Sequence, residues 1–358
     1  MELVPIRGRG AAHNPPNRFE RLSFEPDPEF FDPDDPSPWK ETHYYRDHSR
    51  TALTWNDSPD IPFDVSLNCY RGCSHGCPYC YARPTHEYLG FSAGLDFETR
   101  ILVKEDAPEL LRRELASPRW EPRPIAISGV TDPYQPAERR FELTRRCLAV
   151  LAEFRNPAMI VTKNYLVTRD IDLLQELARY RAVMVFVSVT TLDPKLQRVL
   201  EPRASIPARR LAAIEALARA GIPVGVMVAP VIPGLTDHEI PRILEAAAAA
   251  GARHARYMAL RLPLAVKDVF LAWLELHYPE RKEKVLNRIR SIRGGKLNES
   301  RFGVRMRGEG PWALQLRELF RAGCRKAGLN QEKVELSTAA FRRPDPGGQL
   351  GLFDELEG

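Results

Sequence analysis

No stretch of this 358-residue sequence approaches the roughly 18 consecutive apolar residues that a membrane span requires, and this excludes a helical membrane protein. Met1 to Arg21 is polar and proline-bearing, without the apolar core of a secretory signal, so the expected compartment is the cytoplasm. Cysteine is scarce, with six residues in the whole chain, and a reducing cytosol argues against a disulfide framework. The sequence also lacks a helix–turn–helix, an RNA-recognition signature and a second cysteine cluster, so no motif names a nucleic-acid target. Net charge is only +5, which excludes a uniformly basic or acidic surface.

What is present is a globular composition, 44% hydrophobic and 28% charged, with length enough for one large α/β domain and its appendages. Residues 1–60 are rich in Pro, Asp, Asn and Arg without a sustained period, and are expected to form an extended arm whose first part is disordered; 25–37 alone carry six acids and no base. Across 61–265, short apolar runs alternate with helical patterns. The runs are Phe63–Leu67, Ile125–Val130, Ala158–Thr162, Val183–Val189, Val224–Val231 and Ala255–Leu260. Helices are expected over Ala137–Phe154, Asp170–Arg179, Pro207–Ala220 and Asp237–Ala250. Buried strands alternating with crossover helices specify a parallel sheet with helices outside. Arg100–Lys104 is an extra strand or a hairpin arm. Six βα units suit a partial (β/α)6 barrel rather than a closed eight-fold one, with an open doubly wound sheet as the alternative. The barrel is favoured because polar groups follow each strand's C-terminal end: the cysteine loop, Thr131-Asp132, Lys163-Asn164, Ser188 with Thr190 and Thr191, Pro233-Gly234 with Asp237, and Arg261. Residues 266–340 form a helical extension (Lys267–Leu276, Glu283–Ile292, Trp312–Ala327), and 341–358 a flexible tail.

Four of the six cysteines fall between positions 69 and 80. Cys73, Cys77 and Cys80 have C-x3-C-x2-C spacing, by which three thiolates can hold three irons of a [4Fe–4S] cubane and leave the fourth iron open for chemistry. Gly72 and Gly76 let the backbone fold tightly around such a cluster. A zinc-stabilised, non-catalytic module using Cys69 as a fourth ligand is the rival, but four cysteines in twelve residues strain the usual two-pair zinc geometry. Cys69 is then a buried or neighbouring thiol, and Cys147, on an apolar-periodic helix, a small buried hydrophobe.

Cys73-Ser74-His75-Gly76-Cys77-Pro78-Tyr79-Cys80-Tyr81, on the loop after the first barrel strand, resembles the radical S-adenosylmethionine (radical SAM) superfamily, and within it the spore photoproduct lyase-like branch. The resemblance covers about 65–265 and extends to Thr131-Asp132, Thr162-Lys163, Glu201-Pro202, Arg210-Leu211-Ala212-Ala213 and Val228-Ala229-Pro230. It implies an enzyme in which S-adenosylmethionine chelates the open iron and one electron, from a donor such as flavodoxin or ferredoxin, cleaves it to a 5′-deoxyadenosyl radical. Position by position it implies that Thr131 and Asp132 face the methionyl amino group and that Lys163 pairs with the methionyl carboxylate. Ser188 and Thr190 would bond the ribose, and Ala229 would line the adenine. Tyr79 and Tyr81 match tyrosines that relay a hydrogen atom in the lyases. Gly129 stands where the lyase pattern has a hydrogen-donating cysteine, so a related lesion or another substrate is expected instead of spore photoproduct itself.

Two features point to partners. Residues 281–307 carry ten Lys/Arg (Arg281, Lys282, Lys284, Arg288, Arg290, Arg293, Lys296, Arg301, Arg305, Arg307) against Glu283 and Glu299, a candidate surface for DNA or RNA phosphates. A solvated helix face is the plainer reading of that run, and with it goes a substrate that is a peptide, protein or small molecule. In the tail, Gln349, Leu350, Leu352 and Phe353 resemble the short peptide by which repair proteins dock on the bacterial sliding clamp.

Overall fold

A computed structural model describes residues 4–19, 41–333 and 335–344 of the chain. Both the acidic stretch 25–37 and the Gln349–Phe353 motif lie outside them. In the described residues the strands are β1 (His43–Arg46), β2 (Leu53–Trp55), β3 (Val65–Leu67), β4 (Tyr70–Arg71), β5 (Arg100–Val103), β6 (Ile125–Ile127), β7 (Ala158–Thr162), β8 (Val183–Ser188), β9 (Val224–Val231) and β10 (His254–Ala259). The main sheet has the order β10-β9-β8-β7-β6-β3-β2. Its six strands from β3 to β10 run parallel and in sequence order, while β2 is antiparallel at the β3 edge. A doubly wound sheet reverses its order at a switch point. This one winds in a single direction, so it forms a barrel wall left open between β2 and β10: the partial barrel that the spacing of the runs predicts.

The strands are apolar on both faces because helices cover one and the barrel interior the other; β8 is buried along its whole length. Outside pack Leu143–Phe154, Ile171–Arg179, Pro207–Arg219 and Ile240–Ala249. Leu148, Leu151, Leu174, Leu177, Ile214, Leu217, Ile243 and Leu244 point inward from these helices into one core. Each fully buried side chain of this kind contributes about 1.5–3 kcal/mol. Beyond the barrel, Val266–His277 and Lys282–Ser291 build a second core in which Phe270, Trp273, Leu274, Val285 and Ile289 pack with Leu200, Ile232 and Leu260.

Four features differ from expectation. The single helix expected over Ala137–Phe154 is two, Glu138–Phe141 and Leu143–Phe154, broken at Glu142 in the left-handed region (φ 50°). Its cause is Glu138, whose buried carboxylate turns back to accept the N–H groups of Thr144 (3.0 Å) and Arg145 (3.2 Å) at the new helix start, and the hydroxyl of Tyr70 (2.5 Å). Of the two forms expected for Arg100–Lys104 the extra strand is found, over Arg100–Val103 as β5, but it lies outside the main sheet, in a separate small sheet of order β1-β5-β4. The sequence reading also passed over helices Ala107–Ala116 and Pro194–Leu200.

The fourth difference is the arm. Where its first part was expected to be disordered, Arg9, Gly10 and Ala11 are buried. The Gly10 and Ala11 N–H groups donate to the Glu98 carboxylate at 3.0 and 2.8 Å, and Glu98 in turn holds Arg83 at 2.5 Å. Gly10 lies so close to the cysteine loop that a Cβ there would stand 1.6 Å from the Gly76 carbonyl oxygen. A short segment without any apolar period is thus fixed by charge-assisted hydrogen bonds to a buried carboxylate.

Candidate functional site

The cysteine loop leaves β3 through β4 and is gripped from the ends of the other parallel strands. From the β6 end, the Thr131 hydroxyl (2.8 Å) and the Gln135 amide (3.0 Å) donate to the Gly72 carbonyl, and Gln135 accepts the Ser74 N–H at 3.0 Å. At the β7 end, Asn164 lies 3.3 Å from His75 Nε2. Following β8, the Arg203 N–H donates to the His75 carbonyl at 3.3 Å. From the β10 end, the Arg261 guanidinium lies over the Tyr81 ring, 5.4 Å from its centroid. Gly72 (φ 80°) and Gly76 (φ 72°) adopt the left-handed region, and a Cβ at either would press on Phe97 and His86 or on Glu98, so glycine is required twice.

Asp132 is the knot of this arrangement. Its Oδ1 accepts from the Thr162 hydroxyl (2.7 Å) and the Tyr134 N–H (2.9 Å), and its Oδ2 from the Lys163 N–H (2.7 Å), with His75 Nδ1 at 3.4 Å. Burial pushes this carboxyl up, but the His75 charge and the hydrogen bonds outweigh burial and hold it at about 2. A carboxylate offers about four acceptor directions, and all four are taken. Asp132 therefore ties the cysteine loop to the β6 and β7 ends, where the resemblance implied a group facing a bound amine. Lys163 differs: it has no ion pair among the described residues, its Nζ stands 6.0 Å from the Tyr79 ring centroid, and its charge acts on Cys77, Cys80 and Glu201.

Tyr79 and Tyr81 part company. Tyr79 is buried and donates its hydroxyl to the Glu201 carboxylate, which also accepts from Thr190 (2.7 Å) and from Arg210. Thr190 also reaches the Ala229 carbonyl at 3.1 Å, and Arg210 donates to the carbonyls of Ser188 (3.1 Å) and Ser205 (2.6 Å). Ser188, Thr190 and Ala229 are thus gathered at the β8 and β9 ends around a buried Arg–Glu pair. Glu201 caps the C-terminal end of helix Pro194–Leu200, and its carboxylate anchors this cluster. Tyr81, in contrast, is 45% exposed and donates its hydroxyl to the Gly129 carbonyl at 2.7 Å. The phenol is thus bound to the backbone of Gly129, the residue at which the resemblance places a hydrogen-donating cysteine in the lyases.

The donor set suits a cluster. All three cysteines are free thiols, Cys73 and Cys77 buried and Cys80 partly so. Burial, then the Glu201 carboxylate, pushes Cys77 well above its usual value, and burial with Cys73 nearby raises Cys80. Burial thus works against the thiolate form, a penalty that a bound cation would offset. No group of three or more His, Cys, Asp or Glu among the described residues is arranged to hold a single metal ion. A cubane asks less of its protein, because each thiolate binds a separate iron. Cys69 faces away from the loop, its sulfur 3.7 Å from that of Cys147 in the core.

Comparison with known proteins follows the same outline. The sequence model of the Radical SAM superfamily matches residues 67–247. An uncharacterized protein of Mycobacterium tuberculosis is 43% identical over 222 residues, 62% of this chain and 65% of that protein, so the match spans less than two thirds of that relative's length. An uncharacterized protein of Methanocaldococcus jannaschii is 28% identical over 222 residues, 62% of this chain and 79% of its own. Among solved structures, spore photoproduct lyase complexed with dinucleoside spore photoproduct superposes with a TM-score of 0.59 at 18% identity, covering 80% of both chains. A mutant of that lyase with bound AdoMet and the same dinucleoside gives 0.58 at 17%. Identities this low speak for the fold alone.

Proposed function

The chain belongs to the radical SAM superfamily and is a radical SAM enzyme, and from that premise we propose that Cys73, Cys77 and Cys80 hold its [4Fe–4S] cluster and that its substrate is a nucleic acid. Such a cluster, when bound, supplies an electron to S-adenosylmethionine. The chain's own groups then have distinct tasks. Lys163, a cation without a carboxylate partner among the described residues, takes the methionyl carboxylate. Thr131, with Gln135, fixes the Gly72 carbonyl and so the entry of the loop, and Asp132 fixes its register through His75. Ser188, Thr190 and the backbone at Ala229 line the nucleoside half, held by Glu201 and Arg210. Tyr81, exposed beside Gly129, is the phenol placed to face the substrate, while Tyr79 serves Glu201.

The observation that carries the nucleic-acid reading is where the basic segment is rooted. The Ala259 N–H at the end of β10 donates to the Met306 carbonyl at 3.0 Å, and Arg293 donates to the Leu260 carbonyl at 2.5 Å. Lys284 and Arg288 stand beside Gly234, in the loop after β9. The segment 281–307 therefore rises from the same end of the sheet as the cysteine loop. Its ten bases are not equivalent, however. Arg293 is 0% exposed and spends its donors on four backbone carbonyls, so it cannot meet a phosphate as its place in the run suggested. Arg301 pairs with Glu299 and Glu309, Arg305 with Asp60, and Lys282 with Glu275.

Changing Lys284, Arg290, Lys296 and Arg307 to Gln is expected to weaken DNA or RNA binding similarly for all sequences. The slope of log affinity against log salt should flatten by about one for each phosphate that is no longer neutralised. Arg293→Gln should lower the melting temperature without affecting the slope of the protein that remains folded. Binding that is undetectable at low salt would move the substrate to a peptide or small molecule.

A further inference from the structure

The open side of the barrel lies between β2 and β10, and one short segment closes it. The Asp60 carboxylate, on the connection from β2 to β3, accepts the Gly303 N–H at 2.7 Å and the Arg305 Nε at 2.5 Å; Arg305 also reaches the Ser58 hydroxyl. Because Met306 is bonded to the end of β10, residues 303–306 join the two sheet edges. Next to this bridge Phe302 is 58% exposed, with the Arg305 guanidinium over its ring at 4.4 Å. Arg261 lies against Met306 of this bridge and over the Tyr81 ring, and Tyr81 adjoins Cys80 in the chain.

Arg261 is unlike the buried arginines that hold the fold. Arg83, Arg210 and Arg293 each spend their donors on three or four carbonyl or carboxylate groups. Arg261 makes one hydrogen bond among the described residues, from Nη1 to the Met306 sulfur at 3.4 Å, a weak acceptor; its Nε, like that of Arg293, has no partner, but Arg293 has four carbonyls on its other nitrogens and Arg261 has none. The nearest carboxylate, Asp60, is committed to Arg305 and Gly303. Burial, then the neighbouring Arg305 charge, lowers the Arg261 pKa, so the charged form is held at a cost that an arriving anion would offset.

We propose that Tyr81, Arg261 and Phe302 form the specificity site for one unstacked nucleotide, with Arg261 taking its phosphate and the exposed Phe302 ring stacking on a base, so that the enzyme acts on single-stranded or extrahelical nucleotides and not on intact duplex. This rests on the nucleic-acid reading above and adds to it the state of the substrate. Alternating guanidinium and aromatic groups are what single strands use: phosphate contacts carry affinity, and any base offers a π-face to a ring. A base inside a duplex presents no such face, and a reacting group at the depth of the cysteine loop reaches only a nucleotide that has left the stack.

The test is fluorescence anisotropy with the anaerobically reconstituted full-length protein in S-adenosylmethionine. Three labelled probes of one sequence are used: a single strand, the duplex, and the duplex with one unpaired nucleotide. The single strand and the bulged duplex should bind about tenfold or more tighter than the perfect duplex. Phe302→Ala should lose about tenfold on the single strand at unchanged salt slope, and Phe302→Trp should keep the affinity. Arg261→Gln should lower the slope by about one, whereas Arg261→Lys should retain it. Iron content measured on every variant separates lost binding from a lost cluster. Equal affinity for all three probes, or Phe302→Ala and Arg261→Gln proteins that bind as the parent does, would overturn the proposal. If the Lys284 and Lys296 changes still weaken binding in that case, the nucleic-acid reading survives without it. If no probe binds while S-adenosylmethionine is cleaved, both fail and the radical SAM assignment alone remains.

Discussion

Replacing Cys77 by alanine is expected to strip the anaerobically prepared protein of its iron and to reduce S-adenosylmethionine cleavage to background. A cubane carries about four irons, and with Cys73, Cys77 and Cys80 as its proposed ligands, removing one leaves two thiolates, too few to retain it. Cys73→Ala and Cys80→Ala should behave alike. Cys69→Ala should keep the iron, because the Cys69 sulfur is turned into the core against Cys147 and contributes to packing alone. The contrast separates the cluster from the rival zinc site, where Cys69 would be one of four equal ligands and its loss as damaging as the rest. Iron and acid-labile sulfide, measured on all four variants in parallel, decide between them.

Glu201→Ala should be the most damaging change made away from the cysteines. Both Glu201 and Arg210 are buried, and the carboxylate gathers Arg210, Tyr79 and Thr190. Its own charge is favoured: burial works against it, but Arg210 and Lys163 outweigh burial and keep its pKa below the usual glutamate value. Without Glu201 the guanidinium is left buried and uncompensated, which costs about 3–5 kcal/mol. That is a large part of the roughly 5–15 kcal/mol by which domains are typically stable. Urea denaturation of the variant should show a much lower midpoint. The double change Glu201→Gln with Arg210→Met should recover part of the loss, since removing both charges removes the unpaired one. A variant as stable as the parent would mean that the pair does not anchor the β8 and β9 ends.

Where the architecture was legible in the sequence, local chemistry set it. Val183–Val189 and Val224–Val231 are apolar without alternation, as strands buried on both faces must be, and they form β8 and β9. The cysteine loop stands out in the sequence because Cys73, Cys77 and Cys80 lie within eight residues of one another. What escaped depends on residues far apart in the chain. Glu138 breaks a helix whose periodicity runs on unbroken, because a carboxylate that turns back on itself leaves no periodic trace. Gly10 and Ala11 are fixed by Glu98, nearly ninety positions away. Tyr79 and Tyr81 are two positions apart in one motif, yet the first points to Glu201 and the second to Gly129. Counting bases in 281–307 could not separate Arg293, wholly enclosed by carbonyls, from Lys296 on the surface. Charge is visible in a sequence, and burial of that charge is not.

The measurement that reaches the central claim most directly is the product analysis of anaerobically reconstituted protein given S-adenosylmethionine and a one-electron reductant. Formation of 5′-deoxyadenosine, with about four irons per chain and dependence on Cys73, Cys77 and Cys80, is the predicted result. Protein that retains about four irons and the reductant's electron yet yields no 5′-deoxyadenosine, with or without single-stranded nucleic acid, would contradict it.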